Sequence, residues 1–409
     1  MNSAAHDTVS SPIWARPEAF PEAPSGWGWV DHKGRRHVCD SQQQLIKAIS
    51  EDSDARVTLA WTPEAPRMVL PEEVPESIAA VLISRKRTAG ADLTEAQDRL
   101  RWFGFLSGGL AVYLFYQGWV LSPEGIANTG RAFHGARAVL NSMSMGIMLL
   151  MFLIFAFIPW YQAGKRLRDF GRWSASDVAA AVPALRFETW LENQKAPVTR
   201  LMLGLISLVG LAQLLPGDSL RAAALIKPAY HGGEWWRLFT APLLHGNLVH
   251  FMMNAAALLY LGKRMEVFAR WPHVPLVFLF AACVGGEASA RFMTATSVGA
   301  SGGLMGWLGF LLVFESLHGN LVPRPARRRL IAGVLITALI GLVGYRFIDN
   351  AAHAGGLLAG MLYAAIVFSK SSSPKRPNST LADRIAGIAA FAVLSSSALF
   401  AVMRIVSQG

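Results

Sequence analysis

Four side chains in this 409-residue chain have the types needed for acyl transfer: Ser301, His353, His250 and Asn254. A serine hydroxyl becomes a useful nucleophile when a neighbouring base takes its proton. A histidine can be that base and later the acid that protonates a leaving amine. Amide and imidazole N–H groups can hold the negative charge that develops on an attacked carbonyl oxygen. The spacing fits such a division of labour. His250 and Asn254 are i and i+4, so they share a helix face. Ser301 sits in "SVGASGGLMGW", among four glycines. His353 opens "AHAGGLLAG", where Gly356 and Gly360 form a small-xxx-small pair of the kind that lets helix backbones approach closely. Each feature has a bland reading. A membrane serine commonly bonds a carbonyl one turn back, and glycine-rich faces commonly mean tight packing.

The elements that must position these groups are hydrophobic. The chain is 53% hydrophobic and 16% charged, with a mean hydropathy of +0.34, which excludes an ordinary soluble domain. Apolar stretches long enough to cross a bilayer are expected near 102–122, 142–162, 201–217, 244–262, 274–292, 301–317, 330–346, 351–369 and 386–405. The segments on one side of these nine spans carry 23 Lys and Arg, and those on the other side carry 5. The positive-inside rule then places the N-terminus in the cytoplasm. The net charge of +11 is topological, and "RPARRR" (Arg324 to Arg329) is an anchor, so no nucleic acid is expected. Cys39 and Cys283 suggest neither a disulfide framework nor a metal site. No cofactor is expected. The polar start lacks the apolar core of a cleavable signal.

With this topology, the spans near 244–262, 301–317 and 351–369 all descend from the outer face. Ser301 and His353 fall in the first turns of their spans. His250 and Asn254 fall two to three turns down theirs, roughly 9 to 15 Å below the start. All four lie in the outer half of the bilayer. Ionisable groups there are costly and ask for a function. A transporter would line a path across the membrane instead. A soluble serine hydrolase would need a strand–turn–helix elbow around Ser301.

At this point the chain resembles the rhomboid intramembrane serine proteases. "EWWR" (Glu234 to Arg237) is similar to the Trp-Arg motif of the first outer loop. "HGNLVHFMMN" carries His245, His250 and Asn254 at the family's H-x4-H-x3-N spacing. "GASG" (Gly299 to Gly302) and "AHAGG" (Ala352 to Gly356) resemble its serine and histidine motifs. The resemblance covers about 170 residues of the 409. It implies an all-α polytopic membrane protein with a six-helix core at 200–370. Flanking it would be a small soluble cytoplasmic domain at 1–101 with a disordered start, two further spans and a linker at 102–199, and a linker and last span at 371–409. "SQQQLIKAIS" is expected as an amphipathic helix and "RVTLAW" as a strand.

The resemblance also implies roles. Ser301 is the nucleophile and His353 the base in a dyad. His250, Asn254 and the Ser301 backbone N–H hold the oxyanion. His245, Gly299, Gly302, Met305, Asn350, Gly356, Trp236 and Arg237 support the site. Met305 stands where the family often has an aromatic ring against the histidine. Asn350 could orient His353, and Arg237 is expected to bond loop carbonyls. Substrates are transmembrane segments of other proteins, cut at small residues near the outer face of a bacterial inner membrane. The competing reading is a catalytically silent relative that binds membrane clients. The N-terminal domain is left open to a partner of its own.

Overall fold

A computed structural model describes residues 11–52 and 57–407. The expected disordered start falls on residues 1–10, outside the described residues. The chain divides into two units, one of residues 17–186 with 339–347 and one of residues 1–16, 187–338 and 348–409.

The first unit begins with a three-stranded antiparallel sheet of β1 (Trp27–Val30), β2 (Arg36–Cys39) and β3 (Leu59–Trp61), in the order β2-β1-β3. The β1–β2 hairpin closes because the Asp31 carboxylate accepts the N–H groups of Lys33 and Arg35, at 2.8 and 2.9 Å, and Gly34 supplies the left-handed backbone. The expected amphipathic helix forms as α1 (Gln42–Glu51), capped by Ser41. It buries Leu45 and Ile49 against Val57, Ala60, Val74 and Val81. The expected strand forms as β3.

A single helix, α2 (Ile78–Val120), then runs without a break from the sheet unit into the first apolar stretch. Residues 123–141, expected as a connecting segment, are largely the helix α3 (Asn128–Asn141). It forms because Gly118 and Gly135 let α2 and α3 touch backbone to backbone: a Cβ on Gly118 would lie 2.7 Å from the His134 carbonyl oxygen. The second apolar stretch is α4 (Met143–Arg172), with one π-helical turn at Leu153–Phe157.

α5 (Ala175–Glu192) and α6 (Pro197–Ala212) meet at a 61° bend. The Glu266 carboxylate closes the start of α6 by accepting the N–H of Val198 (3.1 Å) and of Thr199 (2.9 Å), and the Thr199 hydroxyl (2.8 Å). Three short helices follow, α7 (Ser219–Ala223), α8 (Lys227–His231) and α9 (Arg237–Thr240). The chain then continues through α10 (Leu248–Phe268), α11 (His273–Phe292), α12 (Ser301–Leu317), α13 (Arg324–Val343), α14 (Asn350–Val367) and α15 (Leu381–Val406). Trp14, from the start of the chain, belongs here: its indole donates to the Leu321 carbonyl at 2.7 Å and its ring meets Phe187 edge-on.

Each of the nine expected spans contains helix. Among the described residues, four helices are both long and apolar enough to cross a membrane: α4, α11, α14 and α15. A fifth is reached if the bent pair α5–α6 is one span. The protein is therefore a mostly helical chain with several membrane-length helices, as a multi-pass membrane protein requires. α12 is apolar but has only 17 residues. α10 carries His250 and Asn254 within it and Lys263, Arg264 and Glu266 towards its end.

The glycines of α12 and α14 explain how these two helices pack. A Cβ on Gly356 would collide with the carbonyl oxygen of Gly302, and one on Gly360 with that of Gly306. α12 packs more extensively on α14 than on any other helix, and α11 packs on both. Below the glycines, Phe310, Phe314 and Phe368 form an aromatic cluster that meets the His318 ring.

Candidate active site

The backbone contact between α12 and α14 brings Ser301, the first residue of α12, to His353, the fourth residue of α14. The hydroxyl oxygen of Ser301 lies 2.8 Å from Nε2 of His353. α14 starts where it does because Asp349 caps it: its carboxylate accepts the Ala352 N–H at 2.9 Å, and its carbonyl accepts the His353 N–H at 3.1 Å. Asn350 is the first residue of this helix, and its N–H donates to the Ile348 carbonyl at 2.9 Å.

α10 starts at Leu248, because Asn247 caps it by accepting the His250 N–H at 2.9 Å. His250 and Asn254 are therefore the third and seventh residues of their helix. They lie within the first two turns, shallower than the two to three turns expected for a span opening near 244. The reason is that residues 244–247, with Gly246 among them, are not helical and lead into the cap. His250 therefore lies as near the start of its helix as His353 does to the start of α14. Asn254 is buried, and its amide donates to the His250 carbonyl at 3.1 Å.

Gly299 joins the two halves of the site. Its φ of +115° is one that other L-residues rarely adopt. A Cβ there would stand 2.8 Å from Nε2 of His250 and 3.6 Å from the amide nitrogen of Asn254. The His250 ring thus lies directly against the Gly299 backbone, two residues before Ser301. The Gly299 N–H donates to the Ala241 carbonyl at 3.0 Å, which fixes the loop.

The remaining expected residues divide by setting. His245 is buried with its ring edge-on to His250 (5.2 Å) and to Phe251 (5.3 Å). Gln213 bonds both its N–H and its carbonyl, at 2.9 and 3.0 Å. Met305 is buried one turn below Ser301. Arg237 is buried in the segment of α7–α9, where its guanidinium donates to the carbonyls of Ala224 (2.7 Å) and Arg221 (3.2 Å) and pairs with Glu234. Trp236 lies between the Arg237 and Arg404 guanidinium groups, 4.6 and 5.2 Å from its ring, and meets Phe400 of α15 edge-on.

A cavity of about 40 Å³ opens beside Ser301, room for one or two waters or a small side chain. Its walls include Leu225, Leu238, Val298 and Ala352, and its polar lining is Ser289, Ser297, Asp349 and Ser301. Three of these polar groups, Ser289, Ser297 and Asp349, are missing from the set expected from sequence. Lys227, which bonds Ser297, is missing too. The signal for Lys227 was a lone cation in "ALIKPAY", between apolar residues. Among the described residues, no cluster of His, Cys, Asp and Glu has the makings of a metal site.

The segment that carries this arrangement also matches known proteins. Residues 232–370 match the family model of the Rhomboid domain. The chain is 34% identical over 148 residues to RHOMBOID-like protein 4 of Arabidopsis thaliana, covering 35% of this chain and 36% of that one. It is 35% identical over 133 residues to Rhomboid protease GluP of Bacillus subtilis, covering 32% and 26%. It is 27% identical over 230 residues to Rhomboid protease GlpG of Yersinia pseudotuberculosis, covering 53% and 77%. The matched segment, residues 232–370, is thus similar to the rhomboid family. The chain spans about a third of the length of the first of these relatives and a quarter of the second.

Proposed function

We propose that residues 200–370 form a six-helix rhomboid core acting as an intramembrane serine endopeptidase, with Ser301 and His353 as a catalytic dyad. The observation that carries this is the 2.8 Å contact between the Ser301 hydroxyl and His353 Nε2 across two helices in backbone contact. In this reading the Ser301 hydroxyl gives its proton to His353 Nε2 while its oxygen attacks the carbonyl carbon of a peptide bond. The tetrahedral oxyanion is held by the Ser301 backbone N–H, the Asn254 amide and the His250 ring. The setting of His250 and Asn254 against Gly299 supports that role. As the C–N bond breaks, the imidazolium returns its proton to the leaving amine. Water then attacks the Ser301 ester, His353 takes its proton, and the serine oxygen leaves with that proton while the acid product departs. No metal or cofactor enters these steps.

The substrate class follows from where the dyad lies. Its residues open their helices, so the reaction is read as occurring near one membrane face, the outer one by the charge asymmetry of the loops. A transmembrane helix protects its peptide bonds by hydrogen bonding, so the cleaved segment must unwind at the site, and small residues suit the narrow cavity. The substrates are therefore the ends of transmembrane segments in other proteins.

Purified protein in detergent or vesicles tests this directly. A fluorophosphonate probe is expected to label wild type and not Ser301→Ala, and a model transmembrane substrate is expected to be cut by wild type alone. A wild-type protein that binds the substrate without cleaving it, and takes no label, would establish the silent, client-binding alternative.

A further inference from the structure

Two charges stand buried or half-buried beside the dyad without taking part in it. Lys227 on α8 is almost fully buried, a costly setting for an ammonium. Its Nζ donates to the Ser297 hydroxyl and to the Ala295 carbonyl. The Ser297 hydroxyl in turn bonds Oδ2 of Asp349. The same oxygen accepts the hydroxyl of buried Ser289 at 2.5 Å. The other oxygen caps α14. The lysine and the carboxylate are thus joined through one serine hydroxyl. Burial pulls the Lys227 ammonium below its ordinary range, and the Asp349 charge works against that pull.

The segments joined are the ones that carry the reacting groups. Ser297 precedes Ser301 by four residues, and Asp349 precedes His353 by four. Ser297 is also pinned to the segment of α7–α9 by an antiparallel bridge to Leu225, with N–H to carbonyl distances of 3.0 and 3.2 Å. Ser289 adds the end of α11. One polar strut therefore ties α8, α11, the loop before the serine and the start of the histidine helix. A plain N-cap requires the Asp349 carboxylate alone, so capping does not account for Lys227 or Ser297.

We propose that Lys227, Ser297 and Asp349 form a positioning strut that sets the register of Ser301 against His353. This rests on the reading of those two residues as a catalytic dyad. The strut touches neither reacting atom. It acts by holding the two segments that present them, and a displacement of about 1 Å in such a pair costs on the order of 100-fold in rate.

The variants Lys227→Met, Asp349→Asn and Ser297→Ala separate this from a purely structural role. Asparagine still caps a helix, so Asp349→Asn removes the charge and keeps the cap. Each variant is expected to lower kcat by about 10- to 100-fold and to leave KM within about twofold of wild type, the pattern of lost alignment rather than lost binding. Ser297→Thr, which restores the hydroxyl, is expected to recover most of the rate. The double variant Lys227→Met/Asp349→Asn is the decisive one. Removing one partner leaves an uncompensated charge, whereas removing both does not. Its melting temperature is expected to exceed that of either single variant, while its kcat stays as low as theirs. Recovery of kcat together with stability, or single variants that retain wild-type kcat, would overturn the strut.

A second measurement keeps this apart from the protease reading. In a background of Cys39→Ala and Cys283→Ala, the pair Ser301→Cys/His353→Cys reports the register by its rate of disulfide formation, with no cleavage needed. The strut variants are expected to slow that cross-link several-fold, and an unchanged rate would overturn the proposal. A wild-type protein that neither labels nor cleaves would remove the dyad reading, and the cross-link rates would still decide the strut.

Discussion

A side chain on Gly356 would run into the carbonyl oxygen of Gly302. The serine helix and the histidine helix therefore meet backbone to backbone one turn below the pair they present. The closeness of Ser301 and His353 depends on this contact, because a serine side chain is too short to reach across an ordinary helix spacing of 8–10 Å on its own.

Gly356→Val tests that dependence. The added side chain must push α12 and α14 apart, and overpacking of this kind costs about 1–3 kcal/mol. Cleavage is expected to fall by about 100-fold or more, because the separation exceeds the 1 Å that reacting groups tolerate. Thermal unfolding and kcat measured on the same preparation check this, and wild-type kcat in a folded variant would remove the glycine contact from the mechanism.

If Ser301 and His353 work as one unit, their losses do not add. Ser301→Ala and His353→Ala are each expected to abolish cleavage of a model transmembrane substrate, and the double variant is expected to be no worse than either. Residual-rate measurements on all three decide it. Full activity in either single variant would dissolve the dyad.

Substitutions at Asn254 and Gly299 test the proposed oxyanion site. Asn254→Ala is expected to lower kcat by about 10- to 1,000-fold with the protein still folded. Gly299→Ala is expected to do at least as much harm, because alanine resists a φ of +115° and its methyl group would press on the His250 ring. A change confined to KM in Asn254→Ala would assign that residue to substrate binding instead.

Arg237 is expected to act on stability first. Its guanidinium holds the Ala224 and Arg221 carbonyls and the Glu234 carboxylate, so Arg237→Ala orphans several acceptors at about 1–3 kcal/mol for each buried one. Arg237→Lys is not expected to rescue it, since a single ammonium cannot reproduce the planar fork. The melting temperature should fall along with activity in both variants. Lost activity at an unchanged melting temperature would place Arg237 in the chemistry.

Much of the candidate site was legible because membrane burial makes polar residues informative. Ser301, His353, His250 and Asn254 each stood out against apolar neighbours, and i, i+4 spacing put two of them on one face. The expected depth of His250 differs from the observed one because hydropathy does not mark where a helix starts. Leu243 and Leu244 are apolar but not α-helical, and the start is set by the Asn247 cap. α3 leaves no comparable mark in the sequence: its residues are too polar to form a span, and its helix depends on glycine contacts with α2 that arise only on packing. The strut was illegible as a unit. Lys227, Ser297 and Asp349 lie far apart in the chain, and no periodicity links them.

The buried pair Arg264–Glu315 is expected to separate stability from catalysis. Both side chains are fully excluded from solvent, and the Arg264 Nη2 and Nε lie 2.7 and 3.0 Å from one Glu315 oxygen. Arg264 belongs to the last two turns of α10 and Glu315 to the last turn of α12, at the opposite ends of those helices from His250 and Ser301. Breaking a buried pair leaves one charge without its partner, which costs about 3–5 kcal/mol. Glu315→Ala is therefore expected to lower the melting temperature sharply, because Arg264 stays buried and cationic with only the more distant Glu188 carboxylate, 4.0 Å away, to offset it. Replacing both, as Arg264→Met/Glu315→Leu, removes the uncompensated charge and is expected to recover most of the loss. Throughout, kcat per molecule labelled by the fluorophosphonate probe should remain near wild type, since the pair touches none of the reacting groups. A fall in that normalised kcat in the stable double variant would mean that the far end of α12 helps to align Ser301, and would extend the catalytic framework to the whole length of the helix.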